Sequence, residues 1–458
     1  MADSFTSPHA EDLPGPAPHV EDVPSPFSLL GVTEEPEAFQ KPTKPVSVGF
    51  QAFLSLANVA FYLTLYPITS ILLPLQAQIA DPSNKVVALG IISTIGAIAA
   101  ILGNPIAGAL SDRTTSRFGR RRPWMVVGAL LTALGLAVLA NATTLLLVII
   151  AWFFATFFAN VLLAALAAII PDRVPDKQRA TVSAIVALAI PFSLIFGVSL
   201  ITAILTATKS VVIPYYTVIV LMLVIVGVYV VTYRDKPLPV GAIPPVKPLT
   251  FLTNFWISPR RYPDFALAWI TRFLVLLGYS IGIFYLFYYF QDVVKDPAAY
   301  PGHTAAGATA FVNAISGICL IISTIIFGVL SDRLQRRKIF VMGSSLMIAF
   351  GVMILVFSHS WLTAEIAAVI IGFGFGAYLA VDIALMTLVL PRAESRAKDL
   401  GVLNIASALP SLFAPGVGAF VLNFFLPNFN AGYNVLFIIA TVLVVLGAVL
   451  VQPIKSVR

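Results

Sequence analysis

The feature that most constrains this chain is a series of twelve apolar runs, each about 20 residues long or longer, bounded by charges, proline or asparagine. About 20 apolar residues are needed for a helix to cross a bilayer. In hydrocarbon only helices and closed barrels satisfy their backbone, and these runs lack the period-two alternation of barrel strands. Only 11% of the 458 residues are charged, which excludes a water-soluble globule. The sequence therefore predicts an all-α integral membrane protein.

The runs fall into two sets of six. The first six helices are predicted at 46–73, 86–111, 123–141, 143–170, 180–207 and 211–233. The second six are predicted at 265–290, 304–331, 338–358, 361–390, 400–426 and 432–452. A polar stretch at 234–263 separates the sets, so we expect six-helix bundles at 46–233 and 264–452 and a short C-terminal segment at 453–458.

Residues 1–45 differ from the rest in composition. They contain eight acidic residues and nine prolines, and few large apolar side chains. Such a segment cannot bury enough apolar surface to offset its conformational entropy, so we expect a disordered tail. Its acidic start is also unlike a secretory signal peptide.

The basic residues alternate between loops. The two termini and the loops after helices 2, 4, 6, 8 and 10 hold 24 of the 28 Lys and Arg residues. The positive-inside rule then predicts that both termini are cytoplasmic, in a cell membrane of the inner or plasma type. Because these charges are scattered over several loops, no nucleic-acid partner is expected.

One motif occurs twice, 220 residues apart. Gly108-Ala-Leu-Ser-Asp112-Arg113 returns as Gly328-Val-Leu-Ser-Asp332-Arg333, each time at the end of the second helix of a half. The same offset carries Pro171, after helix 4, onto Pro391, after helix 10. The two halves are therefore predicted to be parallel copies of one bundle.

The loop from Gly108 through Asp112-Arg113 to Gly119-Arg120-Arg121-Arg122-Pro123 resembles the signature of the major facilitator superfamily. Its long spacer before Gly119 is similar to the branch of sucrose transporters and glycoside-pentoside cation symporters. The resemblance implies two bundles, each built of 3+3 inverted repeats, that work by alternating access. It also implies that helices 1, 4, 7 and 10 line a central cavity.

The repeated motif is predicted to form a conformational gate. Glycines there permit close helix approach, and the carboxylates can accept hydrogen bonds from arginines or a helix N-terminus. In the superfamily these carboxylates face helices 11 and 5 in the outward-open state. The candidate gating residues are Gly108, Asp112, Arg113, Gly119, Arg120, Gly328, Asp332 and Arg333. The alternative is a basic loop that only sets topology.

Polar residues recur at helical spacing on the four helices expected to line the cavity. The candidate substrate or coupling residues are Asn58, Tyr62, Trp152, Thr156, Asn160, Arg272, Tyr279, Tyr378 and Asp382. Polar packing between helices is the alternative. By resemblance, Thr156 stands where plant sucrose transporters carry the carboxylate used for proton coupling, so coupling by that group is not expected here.

Arg272 and Asp382 are each predicted to lie about 13 Å from the cytoplasmic ends of their helices. A charge at that depth needs a partner or a water-filled cavity, so the two are expected to pair and to serve the substrate or a proton. Snorkelling of Arg272 and a purely structural ion pair are the alternatives. The aromatic run at 284–290 is predicted to be an interfacial belt.

No zinc, P-loop or nucleophile-elbow motif occurs, and Cys319 has no cysteine partner. We therefore expect no enzyme activity, cofactor or metal. The leading hypothesis is a monomeric secondary transporter for proton-coupled uptake of a sugar or similar polyhydroxylated solute. The alternatives are a proton-coupled exporter of amphiphilic compounds and a transport-dead sensor or scaffold.

Overall fold

The computed structural model describes residues 42–233, 235, 237, 262–334, 336–388 and 396–454, with the backbone alone for 332, 383, 384, 387, 388 and 396–401. Nearly all of the predicted tail at 1–45 and of the inter-bundle loop at 234–263 lies outside these residues. Of the predicted C-terminal segment at 453–458, the last four residues lie outside them as well.

Twelve helices in the described residues are long and apolar enough to cross a membrane. The first six, α1 to α6, are Val48–Ala80, Lys85–Asp112, Arg122–Ala140, Leu145–Arg173, Asp176–Thr208 and Val212–Thr232. The second six, α7 to α12, are Pro263–Phe284, Ala305–Leu334, Arg337–Phe357, Trp361–Leu388, Arg396–Phe424 and Phe429–Leu450. The predicted all-α class is confirmed, and most helix ends agree within a few residues.

The helices pack in the same pattern in both halves. In the first half α4 packs against α2 and α3, while α6 packs against α3 and α1; in the second, α10 packs against α8 and α9, while α12 packs against α9 and α7. The two bundles meet where α2 packs against α11 and α5 against α8. This agrees with two parallel copies of one bundle. The inverted repeats within each bundle stay a prediction.

Large apolar side chains lie on the outside of both bundles. Val224 is 58% exposed, Phe350 60% and Phe420 72%. In water such a surface would promote association, whereas lipid tails are as apolar as these side chains. The outer surface therefore suits a membrane.

Helices α1 and α7 depart from regular geometry where the bundles meet. In α1 a π-helical turn at Ile68–Leu72 lies between Pro67 and Pro74, and the helix continues to Ala80. The predicted end at 73 is therefore too early, because the π turn accommodates the prolines that end an α-helix. The regular part of α7 ends at Phe284, and the chain continues as a short helix at Leu286–Tyr289 and a π turn at Phe290–Val294.

Candidate functional site

The two charged residues predicted in the middle of the second bundle meet. A guanidinium nitrogen of Arg272, on α7, pairs with Oδ2 of Asp382, on α10. Nε of Arg272 also donates a hydrogen bond to Oγ of Ser407, on α11, at 2.9 Å. The side chain of Asp382 is 1% exposed and that of Arg272 is 14% exposed. The pair is therefore buried inside the bundle, and its arginine is the more accessible partner.

The second oxygen of Asp382 is not engaged by Arg272. Among the described residues, no hydrogen bond of good geometry reaches Oδ1 of Asp382, but the hydroxyl of Tyr378, one turn earlier on α10, lies close enough to interact with this carboxylate. A buried polar atom without a partner costs free energy unless a proton, water or ligand satisfies it. In this arrangement Oδ2 faces Arg272 and Oδ1 is the oxygen left for another partner.

Aromatic rings from the two bundles come together about two helical turns from this pair along α7 and α10. Tyr62 stacks on Tyr66 with ring centroids 5.8 Å apart, and Tyr279 stacks on Phe375 at 3.8 Å. Tyr66 and Tyr279 belong to different bundles and lie close enough to interact electrostatically. Stacked rings of this kind offer flat apolar faces with a polar edge at the centre of the molecule.

Asn58, Trp152, Thr156 and Asn160 are buried, and the two asparagines bond to their own helices. The side-chain amide of Asn58 donates to the carbonyl oxygen of Leu54 at 2.9 Å, and that of Asn160 donates to Thr156 at 2.9 Å. Trp152 is 4% exposed. Trp152, Thr156 and Asn160 line a small cavity between α1, α3 and α4 rather than the region of Arg272 and Asp382.

We call the end of the molecule with Asp112 and Asp332 the motif face. There Arg121 is the central residue: its Nη2 lies 2.5 Å from Oδ1 of Asp112, and its Nε lies 3.0 Å from Oδ2 of Asp172. Arg120 pairs with the other oxygen of Asp172 at 2.5 Å. Burial disfavours the charged guanidinium of Arg121, but the carboxylates of Asp172 and Asp112 outweigh it and raise its pKa above the ordinary value.

The N-terminus of α3 is capped by a residue of the inter-bundle loop. Oδ2 of Asp235 accepts hydrogen bonds from the backbone N–H of Arg121 at 2.5 Å and of Arg122 at 3.2 Å. Gly119 has a φ of 96°, and a side chain there would collide with Asp235. Glycine is therefore required at position 119 by its positive φ and by its contact with Asp235, a residue far away in the sequence.

Arg121, Asp172 and Asp235 were not among the predicted gating residues. The run Arg120-Arg121-Arg122 signalled a basic cluster, but which arginine turns inward depends on the rotation of α3. Asp172 and Asp235 are visible in the sequence only as single acidic residues beside basic loops.

The predicted glycines Gly108 and Gly328 lie apart from this network. No described atom would lie within 4 Å of a Cβ on Gly108, and the nearest to Gly328 is Cβ of Ala380 at 4.0 Å. The predicted close helix approach at these glycines is therefore absent in this structure. Arg333 is exposed, Arg113 makes contacts of its own, and the side chain of Asp332 lies outside the described residues.

The opposite end, which we call the Lys85 face, joins the bundles directly. Nζ of Lys85, at the start of α2, lies 2.7 Å from Oδ1 of Asp292, in the continuation of α7. Gln291 donates to the side chain of Gln78 at 3.2 Å. The hydroxyl of Tyr288 donates to the carbonyl oxygen of Pro74 at 2.8 Å.

The prediction of an interfacial aromatic belt at 284–290 is wrong. Tyr285, Phe287, Tyr288, Tyr289 and Phe290 are all buried, with at most 4% of each exposed. The break in α7 turns this segment toward the first bundle, where the hydroxyls of Tyr285 and Tyr288 donate to the carbonyl oxygens of Val86 and Pro74. The aromatic run is thus part of the contact between the bundles.

A model of the Major Facilitator Superfamily matches residues 48–320 and 297–456, which together cover both bundles. The chain belongs to the major facilitator superfamily. Membership of this superfamily makes the multi-pass membrane protein a transporter and not an enzyme. Its substrate is a small solute that crosses the lipid bilayer.

Solved structures share the superfamily fold at low identity. The nucleoside transporter NupG matches with a TM-score of 0.69 and 14% identity, over 88% of this chain and 100% of that one. A bacterial homolog of the human lysosomal transporter Spinster, in an inward-facing and unoccupied conformation, matches at 0.67 and 16%, over 89% and 97%. A peptide transporter POT matches at 0.71 and 14%, over 93% and 100%. At these identities the likeness establishes the fold alone.

Proposed function

We propose that this superfamily member takes up a sugar or similar polyhydroxylated solute by proton-coupled alternating access. The observation that carries the proposal is the buried pair of Arg272 and Asp382, in which one carboxylate oxygen faces the guanidinium and the other lies beside the hydroxyl of Tyr378 without a well-formed hydrogen bond among the described residues. Protonation at Oδ1 removes the negative charge that holds Arg272. The guanidinium then becomes available to hydroxyl oxygens of the solute.

The aromatic rings supply the rest of the proposed site. Sugar rings have apolar faces, and Tyr62, Tyr66 and Tyr279 offer flat surfaces with hydroxyls at their edges. The remaining predicted residues are proposed to support the helices that carry these rings and this ion pair: Asn58, Trp152, Thr156, Asn160 and Tyr378.

The motif face is proposed to be the cytoplasmic gate. The distribution of Lys and Arg favours cytoplasmic termini in a cell membrane, which puts Asp112 and Asp332 on the cytoplasmic side. The contacts between bundles at the Lys85 face then close the outer side, so the conformation is inward-facing. The predicted gating residues act when the motif face closes in turn. The working unit is proposed to be a monomer.

Export of amphiphilic compounds by proton coupling is the second candidate. It is favoured by the stacked rings of Tyr62, Tyr66, Tyr279 and Phe375, whose faces are apolar. A thermal-shift screen of the purified chain separates the candidates, because a bound solute raises the apparent stability. Shifts with sugars or glycosides support uptake of a sugar, and shifts with hydrophobic cations alone support export.

The test of coupling is accumulation of the best radiolabelled sugar in proteoliposomes, with and without an imposed pH gradient. Asp382→Asn should keep counterflow and lose gradient-driven accumulation, since an amide cannot exchange the proton. Arg272→Gln should lose both, because it leaves Asp382 without its partner. The matched control is Asp176→Asn, which removes an exposed carboxylate paired with Arg179. Accumulation by Asp382→Asn equal to wild type would refute the coupling role.

A further inference from the structure

A small cavity lies inside the first bundle, between α1, α3 and α4. Its free volume is about 10 Å³, room for about one water molecule. Besides Trp152, whose Nε1 lies against Gly96 of α2, four polar side chains line it, Thr64, Thr132, Thr156 and Asn160, and each is at most 9% exposed. The cavity is thus a buried polar site in an otherwise apolar bundle.

Two of these side chains lack a hydrogen-bond partner. Among the described residues, the hydroxyls of Thr132 and Thr156 bond to nothing. Threonine in a helix ordinarily donates to the carbonyl four residues earlier, as Thr202 does to Val198 at 2.9 Å. The hydroxyls of Thr132 and Thr156 are therefore left to whatever occupies the cavity.

The packing around Thr132 excludes a larger occupant. Gly128 and Gly135 lie about one turn before and after it on α3. A Cβ on Gly128 would lie 2.8 Å from the backbone nitrogen of Leu162, and a Cβ on Gly135 would lie 2.8 Å from that of Ala155. Both of these residues are on α4. The backbones of α3 and α4 are in direct contact on both sides of Thr132. Neither lipid nor solute therefore reaches the hydroxyl of Thr132 between these two helices.

The other two polar groups have acceptor capacity to spare. Thr64 already donates its hydroxyl proton to the carbonyl oxygen of Phe61 at 2.7 Å, so its lone pairs remain. Asn160 uses its Nδ2 on the carbonyl oxygen of Thr156, which leaves Oδ1 as an acceptor. Two donors and two acceptors are the complement of one water molecule.

We propose that a single ordered water molecule occupies this cavity, accepting from Thr132 and Thr156 and donating to Thr64 and Asn160. A sodium ion is disfavoured, because the lining carries no carboxylate and a buried cation without a counter-charge is costly. The water ties three helices of the first bundle together, so that α1, α3 and α4 move as one body during transport.

The test is thermal unfolding of the purified full chain with near-isosteric substitutions. Thr132→Val and Thr156→Val should each lower Tm by about 1–3 °C, and the double variant should lose little more than one of them, because the water leaves with the first hydroxyl. Thr202→Val is the control, since its hydroxyl already has a protein acceptor. A dry cavity predicts the opposite sign, because valine then removes an unsatisfied hydroxyl; unchanged or raised Tm in both variants overturns the proposal.

Two further measurements keep the proposal testable if a valine variant does not fold. Thr156→Ser keeps the hydroxyl and should unfold near the wild-type Tm, and a wild-type structure at about 2 Å resolution should show density at hydrogen-bonding distance from both threonines. An empty cavity there overturns the proposal. So does a rise in Tm with NaCl over choline chloride that Thr156→Val abolishes, which would identify sodium.

Discussion

The two ends of this transporter are held by contacts of different kinds. On the Lys85 face the contacts cross from one bundle to the other, from Lys85 to Asp292 and from Tyr288 to Pro74. On the motif face the ion pairs of Arg121 with Asp112 and Asp172 stay inside the first bundle.

The difference distinguishes contacts that break during the transport cycle from contacts that persist through it. A contact between bundles must break whenever that end opens, so its strength sets the balance between conformations. An ion pair within one bundle can persist through the cycle and contributes to the stability of that bundle. Changes on the two faces should therefore have different readouts.

The largest effect is expected at Arg121. Its side chain is 5% exposed and faces two carboxylates, so Arg121→Gln should cost about 2–3 kcal/mol of stability, less than a fully buried pair because Asp112 is mostly exposed and Asp172 keeps Arg120. The measurement is Tm of the purified protein. Arg117→Gln, on an exposed arginine of the same loop, should change stability by less than about 0.5 kcal/mol. Equal Tm values for the two variants would contradict the structural role.

A smaller effect, on conformation, is expected from Lys85→Ala. A partly exposed ion pair contributes about 1 kcal/mol, so its loss should raise the open-to-closed ratio of the Lys85 face about fivefold. Spin labels at Thr143 and Ala298, in the Cys319→Ser background, report the distance across that face. The exchange of Lys85→Asp with Asp292→Lys should restore part of the closed population.

The control for this measurement is a carboxylate on the same face that does not join the bundles. Asp81 bonds to Ser83 and Asn84 of its own loop, and the hydroxyl of Ser83 lowers its pKa, so it is charged at neutral pH. Asp81→Asn should leave the distances unchanged. A similar shift in both variants would show that the pair does not set the conformation.

The smallest effect on stability is expected at Asp112. Its side chain is 57% exposed, so Asp112→Asn should cost less than about 0.5 kcal/mol. Asp112 is expected to contact α11 when the motif face closes. The substitution should therefore lower the turnover of uptake more than the apparent affinity. Asp332→Asn should act in the same direction. Wild-type turnover in both variants would reduce the repeated motif to a topological signal.

Prediction from sequence succeeded where a property belongs to one segment. The apolar run predicted at 86–111 is the helix Lys85–Asp112, and the one predicted at 211–233 is Val212–Thr232. The encounter of Arg272 with Asp382 could also be anticipated, because a deep charge needs a partner and few charges lie at that depth. The aromatic run at 284–290 could not be interpreted in this way, since an interfacial belt and a buried contact have the same composition.

By itself, the sequence determined the twelve helices, their division into two equal halves and the repeat that relates them, because hydropathy and repetition are read along a single chain. Only the tertiary structure decided that Arg121, and not Arg120 or Arg122, faces both Asp112 and Asp172. It also turned the hydroxyl of Tyr288 toward the other bundle. These choices depend on the rotation of each helix about its axis and on where the two bundles touch, and packing between distant segments determines both.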